Sequence, residues 1–167
     1  MKNILVVKAN NRPDGISTKM YEAFMEEIKN VEGYNVSTFD VFAENLTYFG
    51  QDLFNAFGKM QNGEELTAIE QASVDSMNKA RQALSPADIV VFAFPLWNQT
   101  IPAALQSFID YTYGAGYSFK YNEQGQLVSL MTDKNYIVLN ARGGNYSNPT
   151  MAPLEMAVNY INNVIGG

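Results

Sequence analysis

The stretch FPLWNQTIPAALQSFIDY, residues 94–111, contains residues that an ordinary connection between two elements does not need. Pro95 ends an apolar run and removes an N–H from strand pairing, so the amides of residues 96–98 would be free to face a ligand. Pro102 then suits the first turn of a helix, where a missing N–H costs nothing. With Trp97 and Asn98 on a half-exposed rim, the pattern favours a backbone that lines a flat aromatic ligand. The alternative is that Trp97 belongs to the core.

A second polar group follows the first apolar run, in KANNRPDGISTKM, residues 8–20. Ser17 is a natural N-cap residue, and the free amides of a helix start, with the hydroxyls of Ser17 and Thr18, suit a phosphate dianion. Asn10 and Lys19 belong to the same group. An ordinary helix cap explains these residues equally well when they are taken alone. The chain lacks the G-x-G-x-x-G and G-x-x-x-x-G-K-[ST] patterns at such a position, which removes the main support for a dinucleotide-binding Rossmann or P-loop protein.

A third loop, NARGGNYSNP at residues 140–149, follows the last apolar run. Gly143 and Gly144 allow a positive φ and the close approach of a ligand. A glycine turn needed by the chain alone is the alternative. Ligands of open parallel sheets bind beyond the carboxyl ends of the strands, so the three loops together favour a binding site.

The composition limits the chemistry that side chains can perform. The 167 residues include no cysteine and no histidine, which excludes thiol chemistry, iron–sulfur ligation, Ser-His triads and ordinary zinc sites. We therefore expect a bound group to carry any reaction. The net charge of −6 makes a nucleic-acid partner unfavourable.

Length and apolar patterning predict one globular domain, residues 1–167, with 47% hydrophobic and 17% charged residues. No apolar run approaches the length of a membrane span. The first residues, MKNILVVKAN, are a poor signal peptide and a good first strand. These features predict a cytoplasmic protein without a membrane partner.

Strands and helices are expected to alternate along the chain. Continuous apolar runs at residues 4–7, 89–94 and 136–139 are typical of strands covered on both faces, and residues 34–41 alternate as an edge strand does. Helical spacing connects Met20 to Val31, Ile69 to Leu84, Leu105 to Thr112 and Leu154 to Ile165, and Thr67 with Glu70 predicts a capping box. The alternation predicts a three-layer α/β sandwich with a parallel sheet.

Two stretches fall outside this alternation. Residues 42–64 are too rich in aromatic side chains for a solvated loop of that length, so we expect short helices that pack on the domain or on a second subunit. Residues 117–131 place Phe119 and Tyr121 at strand spacing before a turn at Gln124 and Gly125, which predicts a small hairpin.

With these residues, the chain resembles the FMN-dependent NADH-azoreductases, a flavodoxin-like family of homodimeric flavin and quinone oxidoreductases. The similarity runs along essentially the whole chain, through LVVKAN, PLWNQTIPAALQSFIDY, AGYSFKY and ARGGNYS. The P-[LM]-W-N-x-x-I-P element at residues 95–102 is its most specific part. The resemblance implies a flavodoxin-like sandwich with sheet order 2-1-3-4, bound FMN, and FMN near a homodimer interface.

The resemblance also assigns residues. It implies that Asn10 and Ser17 meet the FMN phosphate and ribityl chain, that residues 96–98 meet the isoalloxazine edge, and that residues 141–144 meet its far side. The cofactor-binding residues are expected to be Asn10, Ser17, Thr18, Lys19, Pro95, Leu96, Trp97, Asn98, Gln99, Ala141, Arg142, Gly143, Gly144 and Tyr146. The substrate pocket is expected to include Phe119 and Tyr121, which with Tyr146 fall in segments near the dimer interface. No catalytic side chain and no metal are expected.

The chain departs from the family pattern in three places. Its first loop is shorter and has Asn10 where other members have Ser or His, and Gln99 replaces a residue that is commonly aromatic. Family members also continue beyond residue 167. We therefore expect a fifth strand and its helix to be missing from the given chain.

The activity implied by the resemblance is hydride transfer from NADH or NADPH through FMN to quinones and azo compounds. Donor and acceptor would use one stacking site in turn, in a ping-pong mechanism. An FMN-binding electron carrier like flavodoxin is the alternative, and one-electron reduction of the flavin on titration would favour it. A signalling receiver lacks support because residues 8–10 and 94–96 contain no carboxylate. A member of the family without flavin is the fourth possibility.

Overall fold

The structure, a computed structural model, describes residues 1–166. Four parallel strands form the main sheet, β1 (Lys2–Lys8), β2 (Tyr34–Asp40), β3 (Ile89–Pro95) and β6 (Asn135–Ala141), in the order β2-β1-β3-β6. A separate antiparallel hairpin contains β4 (Phe119–Tyr121) and β5 (Leu127–Ser129). The helices are α1 (Ile16–Ile28), α2 (Gln51–Gln61), α3 (Ala68–Leu84), α4 (Ala103–Thr112) and α5 (Val158–Ile165). Because β6 is the fourth strand of the main sheet, the predicted order 2-1-3-4 is confirmed.

The two central strands are buried on both faces, as their continuous apolar runs predict. Val6 in β1 lies opposite Thr38 of β2 on one side and Val91 of β3 on the other. Both valines are fully buried. β2 lies at the edge of the sheet and alternates between exposed and less exposed residues, as predicted.

Helices cover both faces of the sheet and produce the predicted three layers. One face packs against a large core from α2, α3, α4 and α5 that includes Phe92, Phe108 and Tyr111. The other face presents Ile4, Val6 and Val91 to apolar side chains that include those of α1. Most apolar residues at helical spacing therefore lie on the inner faces of the helices, although Ile69 near the start of α3 is exposed.

Local sequence signals fix several element ends. Thr67 Oγ1 accepts the amide of Glu70, and a carboxylate oxygen of Glu70 accepts the amide of Thr67, which is the predicted capping box. The hairpin turns at Gly125, whose φ of 75° favours glycine. Residues 42–64 contain α2, as expected for an aromatic segment that is not a solvated loop.

Three sequence-based assignments are wrong in detail. Val31 lies beyond the end of α1 at Ile28 and is exposed. Gly15, not Ser17, is the N-cap of α1, and Ser17 lies inside the first turn. Leu154 lies in a short 3₁₀ helix, Ala152–Leu154, rather than in α5. The chain becomes extended at Glu155, whose carboxylate accepts the amides of Ala157 and Val158, so α5 can begin only after it.

The expected fifth strand stays a prediction. β6 lies at the edge of the described sheet, where Ile137 is 44% exposed. None of the helices within residues 1–166 has the length and apolar character needed to cross a membrane.

Candidate functional site

A cavity of about 540 Å³ lies where the loops after β1, β3 and β6 meet, beyond the carboxyl ends of these parallel strands. This is the edge at which open parallel sheets bind ligands. The residues that line the cavity are Asn10, Arg12, Gly15, Ile16, Ser17, Met20, Pro95, Leu96, Trp97, Asn140, Ala141, Arg142 and Gly143.

The start of α1 forms one end of the cavity. Its first amides have no partner within the helix, so they are available to an anion. Ser17 Oγ accepts a hydrogen bond of 2.8 Å from Asn10 Nδ2, and among residues 1–166 its own hydroxyl hydrogen has no acceptor. Because Ser17 is buried and lines the cavity, its hydroxyl is placed to donate to a bound anion.

Asn10 and Thr18 shape the loop around this end of the cavity. The Asn10 Oδ1 atom accepts the amide of Arg12 at 2.9 Å, while Thr18 Oγ1 donates to the carbonyl of Arg12 at 2.8 Å. Both side chains are buried. Their hydrogen bonds hold the loop, whereas Lys19 is exposed and does not line the cavity.

Gly15 leaves room for Asn10. A Cβ atom at position 15 would lie 2.4 Å from Asn10 Nδ2 and 3.2 Å from the carbonyl oxygen of Arg12. Any larger residue would therefore displace the side chain that bonds to Ser17. Glycine is required here because the Asn10 side chain approaches its Cα closely. Its φ of −67° is one that other residues also adopt.

The loop after β3 forms the wall of the cavity, but its first amide does not face a ligand. Leu96 N donates to the carbonyl of Ala141 at 2.8 Å, which joins the loops after β3 and β6. The expectation of a free Leu96 amide is therefore wrong, because the pairing of β3 with β6 extends one residue beyond Pro95. Trp97 is half-buried, as predicted.

A tight turn follows at Trp97–Thr100. Asn98 and Gln99 both have left-handed backbones, with φ of 52° and 70°. Glutamine rarely adopts this conformation, and such strain concentrates at functional sites. The Gln99 carbonyl accepts the amide of Met156 at 2.9 Å, so the segment before α5 holds the turn.

The loop after β6 is positioned by a chain of polar contacts. Asn140 Nδ2 donates to the carbonyl of Phe94, and Arg142 Nε donates to Asn140 Oδ1. Arg142 also pairs with Glu155 at 3.5 Å and lies over the ring of Tyr146. Neither Gly143 nor Gly144 has a positive φ, so the loop does not use the backbone freedom that these glycines allow, and the close approach of a ligand stays a prediction. A Cβ at Gly143 would meet open space within the described chain.

A second, larger cavity of about 690 Å³ lies on the other side of Trp97, which lines both cavities. Its walls include Phe42, Tyr48 and Phe49 on one side and α4 on the other. We call this cavity the aromatic groove. The segment that carries Phe42, Tyr48 and Phe49 is anchored because Thr47 Oγ1 lies 2.8 Å from the hydroxyl of the buried Tyr111.

The structure brings together eight of the predicted site residues in the first cavity. They are Asn10, Ser17, Pro95, Leu96, Trp97, Ala141, Arg142 and Gly143. Asn98 lines the aromatic groove instead. The residues that line neither cavity are Thr18, Lys19, Gln99, Gly144, Tyr146, Phe119 and Tyr121. The substrate-pocket role of Phe119 and Tyr121, in β4, stays a prediction that needs a second subunit.

Sequence reasoning missed five residues that line the first cavity: Arg12, Gly15, Ile16, Met20 and Asn140. Asn140 could have been identified from the sequence, because it is a polar residue within the apolar run YIVLNA. Among residues 1–166, the charged residues of the lining are Arg12 and Arg142, and each is paired with a carboxylate outside the lining, Asp14 at 3.4 Å and Glu155 at 3.5 Å.

Comparisons with known proteins agree with this geometry. The model of the Flavodoxin_2 family, described as having a flavodoxin-like fold, matches residues 2–166. The FMN-dependent NADH:quinone oxidoreductase of Brevibacillus brevis is 46% identical over 99% of this chain and 81% of its own.

Two solved structures are also similar. The azoreductase of Bacillus anthracis str. Sterne has a TM-score of 0.88 and 44% identity, covering 99% of this chain and 81% of its own. An FMN-dependent NADH-azoreductase from Bacillus anthracis str. Ames Ancestor, in complex with FMN, has a TM-score of 0.87 and 26% identity, covering 99% and 82%.

Proposed function

The chain belongs to the Flavodoxin_2 family, and on that premise we propose that it is an FMN-dependent NADH:quinone oxidoreductase that also reduces azo compounds. The observation that carries the proposal is the cavity where the loops after β1, β3 and β6 meet, in a chain so similar to enzymes of that name. NADPH as a second donor is part of the proposal.

The residues at the start of α1 fit the phosphate of FMN. A phosphate dianion accepts hydrogen bonds, and this end of the cavity offers helix amides and the Ser17 hydroxyl. Arg12 and Arg142 add charged donors, and within residues 1–166 the carboxylates paired with them, Asp14 and Glu155, lie outside the cavity lining. The close approach of Gly15 to Asn10 keeps the loop in the shape that presents these donors.

The remaining walls fit a planar ring system. Pro95, Leu96 and Ala141 give an apolar edge, Trp97 forms one side, and Gly143 leaves space open. The amides of Asn98 and Gln99 donate no hydrogen bond within residues 1–166 and lie in the turn beside Trp97. We propose that they bond the polar edge of the ring or the substrate.

When bound, FMN would supply the redox chemistry, the transfer of a hydride from the nicotinamide to the acceptor, and the residues that line the first cavity would hold it. For a quinone, NADH and one proton are consumed and NAD⁺ and the hydroquinone are formed. The chain has neither cysteine nor histidine, so its part is to bind, orient and exclude water. We propose that the nicotinamide ring of the donor and the ring of the acceptor occupy the aromatic groove beside Trp97 in turn.

We also propose a homodimer in the cytoplasm, where NADH is available. Segment 42–64 exposes several large apolar side chains, at 86% for Tyr48, 54% for Phe54 and 54% for Met60. Exposed apolar clusters of this kind mark protein contacts. Dimerisation would let Phe119 and Tyr121 of one subunit approach the groove of the other. Sedimentation of the wild type and of a Phe54→Glu, Met60→Glu variant tests this, with Val31→Glu as the control.

Anaerobic addition of NADH to the FMN-loaded protein tests the proposed function. The flavin absorbance should bleach and should return when a quinone is added. The bound flavin should be identified as FMN after denaturation. A flavin that stays oxidised with excess NADH would overturn the proposal, and stable one-electron reduction would favour a carrier.

A further inference from the structure

The aromatic groove and the proposed FMN cavity differ in charge although they share Trp97. Among residues 1–166, two arginines line the FMN cavity, each paired with a carboxylate outside the lining, whereas the one charged side chain that lines the groove is Asp110 of α4. A site beside a carboxylate without a compensating cation attracts positive ligands and repels negative ones.

Asp110 is held in place by a neutral partner. Gln106 Nε2 donates to Asp110 Oδ1 at 2.8 Å and also to the hydroxyl of Tyr160 at 2.9 Å. Among residues 1–166, Asp110 forms no ion pair and its second carboxylate oxygen accepts no hydrogen bond. The side chain is half-buried, so its charge is less screened than that of a fully exposed carboxylate.

Tyr160 adds no charge beside Asp110. Burial raises the pKa of its hydroxyl above the usual value, and the negative charge of Asp110 raises it further, although the hydrogen bond from Gln106 opposes this. Tyr160 is therefore neutral at physiological pH. The Asp110 charge stays uncompensated on this side of the groove.

The start of α4 provides a weak opposite charge at the other end. Ala103 and Ala104 line the groove, and the partial positive charge of a helix N-terminus is about half a unit. Asp110 lies seven positions after Ala103 along α4, a rise of about 10 Å. At that separation the partial charge of the helix N-terminus does not neutralise the Asp110 carboxylate. Together the two charges orient an elongated ligand.

We propose that the groove binds planar aromatic acceptors that carry a positively charged substituent and discriminates against anionic ones, with Asp110 as the specificity-determining residue. The inference rests on the proposed function. Aromatic walls from Phe42, Tyr48, Phe49 and Trp97 suit a flat ring, and a volume of about 690 Å³ holds one or two such rings. The reducible group lies towards Trp97 and the positive group towards Asp110.

The test uses three naphthoquinones of similar size that carry a trimethylammonium group, no charge or a sulfonate. The reoxidation of NADH-reduced, FMN-loaded enzyme by each quinone is followed at low salt. Wild type should prefer the cationic quinone. In Asp110→Asn, the cationic-to-anionic ratio of kcat/KM should fall about fivefold or more, while the neutral quinone changes little.

Two further variants test whether the change in the ratio depends on the charge near Asp110. Asp133→Asn removes one exposed carboxylate at the opposite end of β6 and should leave the ratio unchanged. Gln106→Lys places a cation one helical turn from Asp110 and should lower the ratio as Asp110→Asn does. High salt should also weaken the wild-type preference.

The outcomes separate this inference from the proposed function. If NADH fails to reduce the flavin, both are overturned. If turnover with the neutral quinone is normal but neither variant changes the ratio, only the charge selectivity is overturned. The same holds if Asp110→Asn weakens dimerisation and leaves the ratio intact, because a second subunit would then occupy the groove.

Discussion

Asn10 Nδ2 and Ser17 Oγ are joined by a hydrogen bond of 2.8 Å, and both side chains are buried beside the start of α1. Because Ser17 accepts this bond, its hydroxyl hydrogen is directed elsewhere. The hydrogen bond from Asn10 therefore leaves the Ser17 hydroxyl free to donate into the cavity. Asn10 acts as a positioning residue, and Ser17 is the group expected to contact the phosphate.

Replacing Ser17 by alanine is expected to weaken FMN binding by about tenfold or more, since a hydrogen bond to a charged group contributes about 1.5–3 kcal/mol. Fluorescence titration of the apoprotein measures the change. Riboflavin is the matched control because it lacks the phosphate, and its affinity should change little. Equal losses for both ligands would mean that Ser17 does not contact the phosphate.

Gly15→Ala is expected to reduce both stability and FMN affinity. The new Cβ would displace the buried Asn10 side chain, which should cost about 1–3 kcal/mol of unfolding free energy. Gly58→Ala is the matched control, because nothing lies within 4 Å of its Cβ position in α2. That change should stabilise the protein by about 0.5–1 kcal/mol. Urea unfolding measures both, and an unaffected Gly15→Ala protein would contradict the role of the close approach.

Gln99→Gly is expected to stabilise the protein. Relief of the left-handed backbone contributes about 1–2 kcal/mol, and the added freedom of the unfolded chain offsets about 0.5–1 kcal/mol of this. A net gain of up to about 1 kcal/mol should appear in urea unfolding. Thr100→Gly, in the same turn without a positive φ, should destabilise instead. A loss of stability in Gln99→Gly would show that its side chain holds the turn.

Glu70 predicts a specific pH dependence of stability. The hydrogen bond from Lys59 and the amide of Thr67 lower the pKa of Glu70 below its ordinary value of 4.5, although burial opposes this. A lowered pKa in the folded state stabilises the fold above the unfolded value, and this contribution is lost as the pH falls through the folded pKa. The stability difference between wild type and Glu70→Gln should therefore be largest at neutral pH and shrink below about pH 4.5.

Unfolding in urea at a series of pH values measures this difference. Glu65→Gln removes an exposed carboxylate just before the same helix and controls for the change in net charge. A difference between wild type and Glu70→Gln that does not depend on pH would contradict the ion pair with Lys59.

Periodicity and turn chemistry were sufficient for most of the fold. The apolar runs of β1 and β3 are buried on both faces because neighbouring strands and helices surround them, and the capping box at Thr67 depends on only four residues. Such features are set locally or by the mean burial of an element. They can therefore be predicted from the sequence without knowing which elements contact each other.

Contacts between distant segments could not be predicted in the same way. The Leu96 amide is used by Ala141 only because two loops far apart in the sequence approach each other, and the bond from Asn10 to Ser17, seven residues apart, depends on the irregular path of the loop between them. Arg12 and Met20 line the cavity for the same reason. The sequence located the three loops correctly but not the direction in which each polar group points.

The hydrogen bond from the Met156 amide to the Gln99 carbonyl connects the segment after β6 with the turn that separates the two cavities. Deuterium uptake at that single amide consequently reads out whether the turn is held or released. A ligand stacked against Trp97 should slow the uptake, which would then report on the tryptophan from an amide about sixty residues further along the chain.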